Sequence, residues 1–382
     1  MLKHHHDLSD IPPDTFNPFV VQKKPRHGFI RWVRTHKLLS SVIGGITVIT
    51  IGTAITLAAL GVFSPHPTPP TPVLPPTPVA PAPEPIHYYS PLTGLEVSDE
   101  AATTQPVTAV MIENSPEARP QSGLKDSGVV FEAIAEGGIT RFAALYQEQK
   151  PSLIGPVRSV RMYYVDWIAA FNASIAHVGG SAAALKEVRN GSYRDIDQFF
   201  NGPSYWRATD RYAPHNVYTS FTRLGALNKE KGYTQSSFTG FTRKDSTASN
   251  APTATTVDIT ISSALFNSQY RYNKKTNTYD RWQAGAPHKD REEGTISPRV
   301  VIAMKVDEST VQEDGWREQI NAIGKGTAYL FQDGGAQTVT WQKKSKTAQI
   351  TFTNKEGEDV PLARGQTWIV AVPNNGGKVT WK

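Results

Sequence analysis

Hydrophobic and polar positions divide this chain into unlike stretches. Residues 38–63 form a run of 26 without a charged side chain. At about 1.5 Å per residue, such a run spans the ~30 Å hydrocarbon core of a bilayer, so it predicts one transmembrane helix. Eleven of the 21 residues at 65–85 are proline. Proline fixes φ and donates no backbone hydrogen bond, which predicts an extended polyproline stalk. A folded body follows. Residues 107–113, 129–136 and 139–147 are apolar and strand-like, and Gly137-Gly138 between the last two signals a two-residue hairpin. Residues 162–172, 181–188 and 219–231 read as helices, and 174–178 as a short strand. A polar, small-residue run at 236–256 then marks a linker. Beyond it strands dominate, at 300–306, 329–331, 338–341, 350–352 and 368–372. Tyr270 and Tyr272 face Tyr279 and Trp282 across a turn. The predicted class is α+β. A layered mixed α/β first domain (87–235) joins a mostly antiparallel β second domain (257–382) through the Ser/Thr-rich linker 236–256. A basic cytoplasmic tail (1–37), a single N-terminal transmembrane helix (38–63) and a Pro-rich linker (64–86) precede them.

Charge adds an orientation. Residues 1–37 carry seven Lys or Arg against three Asp, and no Lys or Arg lies between Lys37 and Arg119. The positive-inside rule places the N-terminus in the cytoplasm and the body outside, on the cell membrane. A cleaved signal peptide is the competing reading; the long basic front end and the length of the apolar run argue against it. From Ile86 onward, 33 basic residues oppose 30 acidic ones, which argues against a nucleic-acid partner. The chain has no cysteine. Disulfides, thiolate zinc sites, a cysteine nucleophile and a lipidated cysteine are therefore excluded.

Several constellations carry candidate chemistry. In the hairpin, alternation puts Glu132, Ile134 and Glu136 on one face. A Gly137-Gly138 turn pairs Glu136 with Ile139 and Ile134 with Arg141, leaving Arg141 diagonal to both carboxylates. This is either a binding cluster or a cross-strand ion pair. Residues 155–161, GPVRSVR, present Arg158 and Arg161, whose forks suit phosphate and carboxylate. In residues 177–181, HVGGS, His177 ends a strand and Ser181 opens a helix, where it serves as an N-cap or faces an anion. Residues 205–218 crowd Arg211, His215 and Asn216 among aromatics, a composition suited to sugar or anionic ligands. His288 and Asp290 read mainly as a solvated turn. His66, His87, His177, His215 and His288 form no metal-binding motif, so no metal and no cofactor is expected.

These same blocks carry a resemblance. Glu113 with residues 118–124 (ARPQSGL), then 136–142 (EGGITRF), 154–161 (IGPVRSVR), 177–181 and 213–218 (APHNVY) resemble the YerB-like family of bacterial envelope proteins. Residues 270–273 and 279–281, 288–290 and 365–368 are similar to its C-terminal domain. The resemblance implies a layered α+β fold outside the cytoplasmic membrane. It implies no activity and hands over no catalytic residue. Many family members look like lipoproteins; here the apolar run and proline stalk stand where the lipid would be.

Three functions follow from different classes. In the first, the body binds an anionic or sugar-containing envelope ligand through Glu132, Glu136, Arg141, Arg158, Arg161, His177, Ser181, Arg211, His215 and Asn216. In the second, His177 or His215 is the general base of a cell-wall hydrolase or transferase. In the third, the chain is a scaffold for a membrane protein complex. A His within about 3 Å of a carboxylate or hydroxyl distinguishes the second.

Overall fold

The computed structural model describes residues 37–60, 86–311 and 317–382. The basic tail through residue 36 and the proline stalk lie outside these described residues. The chain forms two compact units, Met1–Pro83 and Glu84–Lys382. In the first, α1 is the 23-residue helix Lys37–Ala59. It covers only part of the apolar run, and among the described residues no helix is long and apolar enough to cross a membrane.

The second unit is the α+β body. Its first stretch contributes strands β1 (Thr108–Glu113), β2 (Val129–Glu136), β3 (Ile139–Tyr146), β4 (Ser174–Ala176) and β5 (Arg194–Asp195). Helices α2 (Met162–Ile168), α3 (Ala182–Val188) and α4 (Phe221–Glu230) belong to the same stretch. The later stretch contributes β6 (Thr256–Thr260), β7 (Ser268–Asn273), β8 (Thr278–Gln283), β9 (Ala286–Pro287) and β10 (Val300–Val306). It continues with β11 (Gly324–Gln332), β12 (Gly335–Lys343), β13 (Thr351–Thr353), β14 (Thr367–Pro373) and β15 (Lys378–Trp381).

Residues on both sides of 236–256 build one sheet, ordered β13-β12-β11-β10-β14-β2-β3-β1-β4-β5. The seam is parallel: β14 pairs with β10 on one side and with β2 on the other. Strands covered on both faces are apolar throughout, and seven of the eight residues of β2 are buried. On one face Phe131, Met111 and Ile302 pack against Tyr163, Tyr164 and Trp167 of α2. On the other, Val130, Phe142 and Trp368 meet Tyr270 and Tyr279 of a second, antiparallel sheet, ordered β9-β8-β7-β6-β15.

Local signals explain the elements. Ser181 and Ser220 cap α3 and α4 by accepting from the amides of Ala184 and Arg223. The hairpin turn uses Gly137 and Gly138 at φ 56° and 74°, conformations that favour glycine.

The hairpin register differs from expectation. Glu136 does pair with Ile139, but Ile134 pairs with Thr140 and Ala133 with Arg141. Ala135 is an extra residue, a bulge, and one extra residue exchanges the faces beyond it. Glu136 therefore joins Arg141 on one face, while Glu132 points to the other.

Candidate functional site

β1, β4 and β5 run parallel, and β2 shares their direction because each of β1 and β2 is antiparallel to β3. Their carboxyl ends bring Glu113, Glu136, His177 and Asp195 to one end of the sheet. In α/β sheets this is where ligands bind.

The first cluster joins Glu113, Arg158 and His215. Residues 154–158 are stitched across the strand ends by Glu113 N to Pro156 O (2.9 Å) and Arg158 N to Met111 O (2.8 Å). Gly155 is required there: a Cβ would meet Tyr218 Cδ1 at 2.8 Å and the Val217 carbonyl at 2.9 Å, at φ 152°. The opposite wall is the 208–216 loop. Arg211 ties it down through the carbonyls of Glu117 (3.1 Å) and Pro120 (2.5 Å). Buried Asn216 accepts from Arg207 (2.7 Å) and donates to the Ala208 carbonyl (3.1 Å). Arg211 and Asn216, both expected as ligand groups, make these hydrogen bonds in the loop that carries His215.

His215 Nδ1 lies 3.0 Å from Glu113 Oε1. A carboxylate only accepts, so the contact requires a ring proton on Nδ1. Ser115 Oγ is 3.1 Å from the same Nδ1. It shares the nitrogen that Glu113 orients, so it does not occupy the nucleophile's place of a Ser–His–acid triad. Arg158 Nε is 3.3 Å from Glu113 Oε1. Among the described residues, the two terminal nitrogens of Arg158 have no hydrogen-bond partner. Glu113 is buried and its Oε2 also lacks one. His215 and Arg158 remain 22% and 26% exposed, so solutes reach both.

A second cluster is Glu136 between two arginines. Arg141 Nη2 lies 2.7 Å from Glu136 Oε1, and Arg161 holds Oε2. Burial pushes the Glu136 carboxyl up, but Arg141 and Arg161 outweigh it and hold it below its ordinary value. Arg141 also donates to the Ser159 carbonyl at 3.0 Å. Arg161 and Ser181 line a cavity of about 460 Å³ with Tyr163, Asp166 and Asn321.

The remaining expected residues lie elsewhere. His177 is fully buried beside Asp195, at 3.0 Å. Glu132 is buried in the seam between the two stretches. Arg281 Nη2 lies 2.9 Å from each of its oxygens, and Trp368 Nε1 donates to Oε2 at 2.9 Å. His288, read as a solvated turn, is buried in this same network, with Nε2 2.9 Å from Gln121 Oε1 and Nδ1 against Arg281. Burial, then Arg281 and Arg119, push His288 well below the usual histidine value. Sequence reasoning missed Glu113, Ser115, Asp195 and Asp197 as site residues. The available signal was polar residues at the ends of apolar strands, Glu-Asn-Ser after β1 and Asp-Ile-Asp at β5.

The fold and the cluster define a protein class: an α+β body whose central sheet is built by two successive stretches and whose strand ends gather acids, histidines and arginines. Two family matches cover those stretches. Residues 92–234 match the N-terminal domain, and 257–369 the C-terminal domain, of the protein of unknown function DUF3048; the chain belongs to this YerB-like family. It is 34% identical over 290 residues to YerB of Bacillus subtilis (strain 168), described as a candidate lipoprotein, covering 75% of this chain and 86% of that one. The crystal structure of Bacillus subtilis YerB matches with a TM-score of 0.69 at 30% identity, over 77% of this chain and 99% of that chain.

Proposed function

We propose that this chain is a membrane-anchored extracytoplasmic protein whose body binds an anionic, sugar-containing envelope ligand at Glu113, Arg158 and His215. One observation carries the reading: among the described residues the terminal nitrogens of Arg158 have no hydrogen-bond partner, and they stand beside a partly exposed histidine. A guanidinium fork takes phosphate or carboxylate in two bonds, and Nε2 accepts from a neighbouring sugar hydroxyl. Glu113 contacts both side chains. The anchor rests on the uncharged run 38–63 and the basic residues before it, and the lipoprotein description of the Bacillus relative agrees with a membrane-held family. Resistance of the chain to alkaline carbonate extraction from membranes tests the anchor; release into the soluble fraction refutes it.

Thermal unfolding with muropeptides, sugar phosphates and teichoic-type polymers tests the site. A ligand at 100 times its dissociation constant adds about 2.7 kcal/mol to stability. The expected result is an upward shift, measured against each protein's own ligand-free melting, that disappears in Arg158→Ala and in His215→Ala. A shift that survives both substitutions, or no shift with any of the ligands, overturns the reading.

The Glu113–His215 distance also meets the geometric test set for an enzyme. A carboxylate-oriented imidazole with a free Nε2 is a general base. With Ser115 out of line, the nucleophile in this second reading is water or a ligand hydroxyl. Turnover of a wall polymer abolished by His215→Ala supports it; absence of turnover on all of them removes it.

A further inference from the structure

His177 sits one residue past β4, fully buried. Its Nδ1 lies 2.8 Å from the Gly179 carbonyl, outside the acidic groups around it. A carbonyl only accepts, so Nδ1 carries a ring proton. Nε2 faces Asp195 Oδ1 at 3.0 Å. Fully buried Asp197 brings a third donor atom, and the three lie within 4.8 Å of one another. Two carboxylates beside one imidazole concentrate negative charge at a site where a cation is stabilised.

Arg189 is the counter-charge of both acids. It contacts the other oxygens: Nη2 on Asp197 Oδ2, and Nε 3.7 Å from Asp195 Oδ2. The three donor atoms are close enough for one ion to draw them together. At metal–ligand distances of about 2.1 Å, neighbouring ligands stand ~3.0 Å apart at right angles and ~4.2 Å apart when opposite. The Gly179 carbonyl on Nδ1 is the outer partner that metal-bound histidines use to fix their tautomer. A cavity of about 290 Å³ lined by Arg189, Asp195, Asp197 and Asn201 leads an ion to the carboxylates. Imidazole with two carboxylates favours a first-row transition ion over calcium or magnesium, which prefer all-oxygen shells.

We propose that His177, Asp195 and Asp197 bind one divalent transition ion, and that Arg189 is the counter-charge the ion displaces. Arg189 is 35% exposed, so its guanidinium can leave toward solvent. The site is independent of the anion reading above.

Calorimetric titration of the full chain with ZnCl2 and with MnCl2, followed by elemental analysis after dialysis, tests it. The expected result is one ion per chain. Asp195→Asn weakens binding about tenfold or more through the lost charge. Arg189→Gln tightens it by about tenfold, because a competing cation is gone. His177→Gln also loses binding; since His177 is buried, the partly exposed Asp195→Asn and Arg189→Gln keep the test sound if that variant fails to fold. No uptake of either ion at millimolar concentration overturns the proposal. So does uptake indifferent to Asp195→Asn, or Arg189→Gln that only destabilises the fold without raising affinity.

Discussion

Glu132→Gln is the most informative substitution in the seam. Glu132 and Arg281 are 1% and 0% exposed, and both Glu132 oxygens lie 2.9 Å from Arg281 Nη2. Removing one charge of a buried pair leaves the other uncompensated, which costs about 3–5 kcal/mol. The stranded guanidinium keeps Tyr270 OH (3.1 Å), Gln283 Oε1 (3.0 Å) and the Trp368 ring (4.8 Å). A glutamine oxygen also still accepts from Trp368. The lower end, about 3 kcal/mol, is therefore expected. Against the 5–15 kcal/mol typical of a domain this is a large loss. The assay is urea unfolding of Glu84–Lys382, the second compact unit, followed by tryptophan fluorescence. With m near ~3 kcal/mol/M the midpoint falls by about 1 M. Glu132→Gln combined with Arg281→Met, which leaves no buried charge, should recover at least half of the loss. A single variant that loses less than ~1 kcal/mol, or a double no better than the single, refutes the claim that the seam depends on this pair.

Two further expectations concern stability. His288 is neutral in the fold, and its unfolded counterpart protonates below about pH 6.5, so its contribution is complete above that value. It is lost as pH falls toward the depressed folded value, because the unfolded state then binds more protons. Other groups oppose it: burial, then Glu318, raise Glu308 to about 8. The measurement is therefore the difference between parent and His288→Gln urea midpoints from pH 8 to 5; a difference that does not change with pH refutes the assignment. Gly240→Ala would place a Cβ 2.0 Å from the Pro91 carbonyl oxygen. Backbone must move there, and a loss of roughly 3 kcal/mol or more in the same assay is expected; native stability in this variant would show that the contact yields freely.

What the sequence made legible was local. Strand 129–136, its Gly-Gly turn and the cap at Ser181 each depend on a few adjacent residues, and all three form. The bulge at Ala135 was invisible because alanine fits either face and carries no turn signal. That single residue sent Glu132 and Glu136 to opposite sides of the sheet and dissolved the expected three-residue cluster. Arg158 and His215 were legible as chemistry, but not as neighbours of Glu113, which sequence alone shows as the polar end of an apolar strand. The change of composition at 236–256 was visible; the sheet that crosses it was not, because β2 and β14 lie far apart along the chain.

That parallel seam has a bearing on biosynthesis. Chains are made from the N-terminus. When β2 emerges, the counter-ion of Glu132 is 149 residues away and its tryptophan donor 236 residues away. Until then a nascent chain carries an unpaired acid and an apolar strand edge of the kind that recruits other strands. A product cut short before residue 281 keeps both defects, and one cut short before residue 367 keeps the open strand edge. It is a substrate for chaperones and proteases rather than a half-working protein. Closing the sheet over β2 waits on the synthesis of β14.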